Sequence, residues 1–415
     1  MKALFRWAAL AALIVLPMSL SAQEVRISYW QYFYQSKVDL VNQLIPEFEA
    51  QNPGVKIDHV TFPYENYNQK LASSVAAGEG PDVVNLYYGW IPTYVKAGYL
   101  QALPKDFDKA YFTKTTYPFV EESSRFEGKY YAAPTAVRTL ALLWNKDLFQ
   151  KAGLDPNTPP KTLDELASFA KKLSAYDAQG NLIQAGLAMQ PSGQGHAWLR
   201  EVLIRQFGGV PYSADNLTPT YATPAGTAGF AWYTDRIVKD KVGFPNFATD
   251  DVTAFIGGKA AMNIDGSFRI AALNKVTDLR WGAAELPTNK GVKGNFASYW
   301  TNGIGSEVSG KKLEASIKWL KFLTSPDVQK RWLLAVGELP VTPALSEQYK
   351  SDPIINVFLK GLPYAKATAY VDEAGQRKIF VDAVDEVILN KRAPADVLKE
   401  AAAKEKKLIA DFWAK

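Results

Sequence analysis

Gly78-Glu79-Gly80-Pro81-Asp82-Val83-Val84-Asn85-Leu86-Tyr87-Tyr88-Gly89-Trp90 decides how this chain is read, because it passes from a turn into a buried strand and ends in aromatics. Gly and Pro stop the preceding helix. Val83, Val84 and Leu86 suit a strand covered on both faces, and the carboxyl end of such a strand faces the ligand crevice of an open sheet. Tyr87, Tyr88 and Trp90 then present flat faces at its rim. Large aromatics also pack in ordinary cores, so the pattern gains meaning only when it recurs.

It recurs twice upstream. Val25, Ile27 and Tyr29 alternate with Arg26, Ser28 and Trp30 as in a strand, which ends in Trp30-Gln31-Tyr32-Phe33-Tyr34. Val38, Val41, Leu44, Ile45 and Phe48 share one helical face, and Asn52-Pro53-Gly54 stops that helix before a second strand, Val55 to Val60, followed by Phe62-Pro63-Tyr64. Strand, helix, strand predicts a parallel sheet. Aromatic clusters at three equivalent strand ends predict a shared aromatic cleft.

Downstream, Phe126 to Pro134 reads as a hairpin leading into the apolar run Thr135 to Trp144, whose one charge is Arg138. That pattern suits a segment passing between two bodies with its guanidinium at the crevice; the plainer alternative is an Arg paired with a surface acid. Thr162 and Glu165 form a capping box, and Ser325 with Pro326 opens a later helix. Gln190 to Trp198 is a polar, Gly-rich loop. Asp265-Gly266-Ser267-Phe268-Arg269 follows a short strand, and Gly266 there would let backbone approach a ligand. Tyr299, Trp300 and Asn302 lie in another strand-like segment, and Trp319, Trp332 and Trp413 fall in amphipathic helices, as core residues do.

The chain has 415 residues, 47% hydrophobic and 21% charged, enough for two or three folded domains. Lys2, Arg6, the apolar run Trp7 to Leu16 and small residues to Ala22 have the layout of a secretory signal, cleaved near residue 22, and too short to span a bilayer. Its removal takes two positive charges from a formal net of +5. The near-neutral remainder gives no basic surface for nucleic acid. With no cysteine there is no disulfide, thiolate metal site, thiol nucleophile or lipid-anchor cysteine. Nucleotide and nucleophile-elbow motifs are absent, and His59 and His196 have no metal-ligand spacing, so no cofactor or metal is expected. What stands out is Trp and Tyr at strand ends among Asn, Gln, Asp and Arg. A pyranose needs that mixture: its C–H face packs on a ring while its hydroxyls need directional partners.

At these residues the chain resembles the carbohydrate class of solute-binding proteins of bacterial ABC importers, the maltose-binding-protein-like group. The matching pieces are Gly78 to Val84, Gly128 to Pro134, Leu142 to Phe149 with Ala152-Gly153-Leu154, Gly258 to Met262 with Asp265-Gly266-Ser267, and Ser316 to Trp332 running to Gly337 and Pro340. The resemblance implies an α/β fold of two lobes, each a mostly parallel sheet flanked by helices, closing by a hinge on a ligand held between them. By analogy the first lobe takes residues 23–136 and about 286–339, and the second takes 137–285 and about 340–415. The site it implies comprises Trp30, Tyr34, Tyr64, Tyr88, Trp90, Arg138, Trp198, Gly266, Ser267, Arg269, Tyr299, Trp300 and Asn302. Trp30, Trp90, Trp198 and Trp300 would stack on sugar; Arg138, Arg269, Asn302 and the amides of Gly266 and Ser267 would bond hydroxyls. The maltodextrin receptor of that group has a carboxylate where this sequence has Arg138, so its ligand does not transfer. The expected protein is a periplasmic monomer, not an enzyme, that delivers a mono- or oligosaccharide to permease subunits at the inner membrane. Arg138 and Arg269 also suit an anionic ligand, such as a glycerol phosphodiester or acidic sugar. A secreted glycoside hydrolase is the alternative from another class, since two acids about 5 to 10 Å apart would suffice for it.

Overall fold

A computed structural model describes residues 24–414; the expected signal segment lies outside them. Two sheets organise the molecule. The first orders its strands as Val55–Phe62, Val25–Tyr32, Val83–Tyr87, Ser298–Ile304 and Ala132–Arg138. The first three run parallel, with Tyr29 opposite both His59 and Val83. Ser298–Ile304 inserts antiparallel between Val83–Tyr87 and Ala132–Arg138. The carboxyl ends of Val25–Tyr32, Val55–Phe62, Val83–Tyr87 and Ala132–Arg138 therefore share one edge with the start of Ser298–Ile304, and that edge faces the second lobe.

The second sheet places Leu140–Asn145 between Met262–Gly266 and Trp281–Ala284, antiparallel to both. The mostly parallel arrangement is thus a property of the first lobe. Leu140–Asn145 runs against its neighbours because it continues straight from the first lobe's Ala132–Arg138, with Thr139 alone between them. A second crossing is made near Asn295–Ser298. The third comes later than residue 340: Leu339 still pairs with Val137, and the Thr342 hydroxyl donates to the Thr115 carbonyl on the first lobe at 2.8 Å. Only at the helix Ile355–Gly361 has the chain reached the second lobe, where the Phe358 carbonyl accepts from Thr139 at 2.7 Å.

Local signals act where they stand. Thr162 and Glu165 close a reciprocal capping box on the helix Leu163–Leu173, and Ser325 caps Pro326–Val336 through the Val328 amide. Gly337 then takes φ +85°, a left-handed stop in which a Cβ would come 2.6 Å from the Ser267 carbonyl. The helix Gln35–Gln51 turns differently from its apolar stripe: it buries Lys37, Leu40, Val41, Leu44 and Phe48, leaving Val38 half-buried. Trp319 and Trp332 are core, whereas Trp413 is 39% exposed and stacks on Phe126. Among the described residues no helix is long and apolar enough to cross a membrane.

Candidate functional site

The strand ends of the first lobe and the turns of the second enclose a cavity of about 440 Å³. Tyr32, Phe33 and Tyr34 come from the end of Val25–Tyr32, Tyr64 from the end of Val55–Phe62, Arg138 from the hinge strand and Trp300 from Ser298–Ile304. The second lobe supplies Ser192 to Gly195 at the start of the helix Gln194–Gln206, Asp251, Asp265, Phe268, Arg269, and Arg377 from Glu373–Ile388. The lobes touch around this space: the Tyr34 hydroxyl donates to the Phe268 carbonyl at 3.2 Å, and Arg138 lies 4.3 Å from the Phe268 ring centre.

Of the residues expected from sequence, Tyr34, Tyr64, Arg138, Arg269 and Trp300 line this cavity together. The others do not, for definite reasons. Trp30 turns inward onto Phe62, centroids 4.7 Å apart. Tyr88 stacks on Tyr299 at 4.4 Å, and the Tyr299 hydroxyl is held by Ser123 and Ser124. Trp90 donates to Glu373 at 3.2 Å. Trp198 sits on a helix, stacked between Phe296 and Tyr87 and donating to the Tyr87 hydroxyl at 3.2 Å. Trp90, Tyr87 and Trp198 thus form an aromatic plug where lobe meets lobe. Asn302 lies inside the first sheet, where its Oδ1 accepts from Tyr29 and Asn85. The Gly266 amide donates to Asp265 and the Ser267 amide to Thr139, so neither is free for a hydroxyl. Gly266 is required by its neighbour: a Cβ would lie 2.4 Å from the Phe268 ring.

Arg138 is neither free nor paired with a surface acid. It donates to Glu338 through Nε at 2.5 Å and to the Tyr32 hydroxyl at 3.2 Å. Glu338 is fully buried, also accepts from the Trp332 indole at 2.5 Å, and pairs with the equally buried Lys37 at 2.9 Å. Burial alone would push the Glu338 carboxyl up; Arg138 and Lys37 overcome it and hold it down to about 2. Burial wins at Lys37, lowering its amine to about 7 against the pull of Glu338. Lys37 also lies 5.0 Å from the ring centres of both Tyr32 and Trp300, so it supports the cavity floor from beneath.

The second wall sets two acids beside two arginines. Asp265 accepts from Arg269 Nε at 2.6 Å, and Asp251 stands beside them. Burial, helped by Asp265 and opposed by Arg269, raises the Asp251 carboxyl to about 7. Behind it, burial lowers the His196 imidazole to about 4. Asp251 and Arg377 belong to helix starts far from any strand end, and no local sequence signal marks them. Gln194 stands in the Gly-rich loop the sequence did single out. Rings, guanidinium groups and carboxylates interleave around one space, an arrangement that binds a polar ligand with apolar faces. Among the described residues no group of three His, Cys, Asp or Glu could hold a metal ion.

Comparison with known proteins bears on the family and the fold. Residues 43–357 match the family described as bacterial extracellular solute-binding protein. The chain is 26% identical over 356 residues to the maltotriose-binding protein of Pyrococcus abyssi, covering 82% of this chain and 72% of that one. It is 24% identical over 441 residues to the sn-glycerol-3-phosphate-binding periplasmic protein of Escherichia coli, covering 98% of each. In structure it resembles an ABC transporter solute-binding protein of Thermotoga lettingae bound with α-D-tagatose, with a TM-score of 0.82, 22% identity, and coverage of 93% of this chain and 100% of that one. The chain belongs to the bacterial extracellular solute-binding protein family. It is an exported protein with the two-lobed fold of a periplasmic binding protein.

Proposed function

We propose that this protein captures a carbohydrate, a mono- or oligosaccharide, between its lobes and delivers it to the permease of an ABC importer. One observation carries the reading: the aromatic residues Tyr34, Tyr64, Phe268 and Trp300 line the same cavity as Arg138, Arg269, Asp251 and Asp265. Burying a sugar costs free energy unless its hydroxyls find partners, and this cavity offers stacking surface and partners together. The maltotriose-binding and tagatose-bound relatives support the same ligand class. The protein acts as a monomer in the periplasm, after cleavage near residue 22, and binds its ligand without altering it.

A thermal-shift panel of neutral sugars tests the ligand class, with a rise in melting temperature expected for at least one of them. If only glycerol phosphates or uronates stabilise the protein, the ligand is anionic. Overnight incubation with the bound oligosaccharide should return it intact, and released monosaccharide would identify a hydrolase instead.

A further inference from the structure

The carboxylates on the second wall differ in how they are served. Asp265 has a short bond at each oxygen: Oδ1 accepts from the Gly266 amide at 2.7 Å and Oδ2 from Arg269 at 2.6 Å. Asp251, 12% exposed at the side chain and facing the cavity, accepts one long bond among the described residues, from Asn263 Nδ2 at 3.4 Å. An ionised carboxylate can accept about four hydrogen bonds. Two buried neighbours are also incomplete: His196 Nε2, 3.7 Å from Asp251, and Asn263 Oδ1 have no hydrogen-bond partner. Trp300, which lines the same cavity, keeps its indole N–H unpartnered.

The charges around the cavity balance. Arg138, Lys37, Arg269 and Arg377 are matched one for one by Glu338, Asp265, Glu373 and Asp251. The cation in excess, Lys37, lies beneath the first wall, and the anion in excess, Asp251, stands on the second. A neutral guest keeps that balance. A guest with a carboxylate or phosphate toward Asp251 and Asp265 would add like charge in a confined, poorly solvated space.

We propose that Asp251 sets ligand specificity on the second wall, accepting hydrogen bonds from the hydroxyls of a neutral carbohydrate and turning acidic sugars away. This rests on the carbohydrate reading above and narrows it. The ionised carboxylate accepts those bonds more strongly than the acid, so binding favours the charged form and affinity falls as pH drops through about 7. The charged and titratable groups facing it are Asp265, Arg269, His196, Tyr233 and, capping its own helix, Asp250. Over this range Arg269 stays charged and His196 neutral. Lys37 also titrates near 7, but beneath the opposite wall, so the difference between wild type and an Asp251 variant isolates Asp251.

The test is calorimetric titration of wild type, Asp251→Asn and Asp250→Ala with the tightest-binding neutral sugar of the panel and with its uronate and 2-amino derivatives, at pH 6 and pH 8. Expected are a loss of roughly tenfold or more in affinity for Asp251→Asn at pH 8, a wild-type affinity that falls from pH 8 to pH 6, and a smaller fall in the variant. The uronate should not bind wild type, and the amine should bind no tighter than the neutral sugar. Asp250→Ala removes the cap of the helix Asp251–Ile256 and one carboxylate beside Asp251, so its melting temperature should fall while its affinity at pH 8, where Asp251 is ionised, holds. Equal affinity in Asp251→Asn and wild type overturns the proposal, as does preference for the uronate. Preference for the amine would show that Asp251 pairs with a cation rather than with hydroxyls, and overturns it too. Failure of every neutral sugar to bind wild type is a different result, and overturns the carbohydrate reading itself.

Discussion

The two walls of the cleft carry similar groups in opposite conditions. On the first, Glu338 is saturated: Arg138, Lys37 and Trp332 converge on it, and burial makes each partner dependent on the others. On the second, Asp251 has one long bond and unused capacity. A saturated cluster builds a rigid floor and holds Arg138 still in front of it, whereas an unsaturated carboxylate waits for donors that the protein does not supply. Mutation of the first wall should therefore register mainly in stability, and mutation of the second mainly in binding.

The largest effect expected is that of Glu338→Gln. Removing the one carboxylate leaves Lys37 and Arg138 facing each other in the interior, at a cost of about 3–5 kcal/mol, measurable by urea denaturation. Asp251→Asn should change stability by less than about 1 kcal/mol, and a loss as large as that of Glu338→Gln would erase the contrast between the walls. Next comes Lys37. Its amine is lowered in the folded protein from the ordinary lysine range to about 7, so above pH 7 the unfolded chain binds the extra proton. Wild-type stability should accordingly gain a rising contribution from pH 7 toward pH 10. Lys37→Met should lack that contribution, and parallel pH profiles of the two proteins would refute the assignment. Tyr64→Ala, at the cavity lining, should weaken sugar binding about tenfold by loss of an aromatic contact. Phe33→Ala should be the mildest. Phe33 is 48% exposed at the rim, so its loss should alter stability by less than about 0.5 kcal/mol and affinity only for longer sugars.

Much of the fold is legible in the sequence because its signals are local. The Thr162 and Glu165 box, the Ser325 and Pro326 start, and the three strands that end in aromatics each act within a few residues of where they stand. The candidate site is legible only in smaller part. Composition brings aromatics to the edge of a sheet, but whether a ring turns into the cleft, as Trp300 does, or against a neighbour, as Tyr299 does, depends on the face it takes in the strand and on partners distant in sequence. Arg138 and Glu338 are 200 residues apart, and nothing local to either names the other. One clue was available: Lys37 stands in register with Leu40, Leu44 and Phe48 on the buried side of its helix, a charge within an apolar stripe. Asp251 had none, since an acid at a helix start is ordinary capping chemistry until the second lobe brings it to the cleft.

Capture of a ligand between the lobes requires them to close around it. The chain has no cysteine, so a spin label can be placed on each lobe, at Gln69→Cys and Lys275→Cys, without interference. Pulsed dipolar spectroscopy with and without the sugar found by the panel should show a broader, longer distance distribution collapse to one shorter distance. A distribution that a bound sugar leaves unchanged would contradict capture between the lobes.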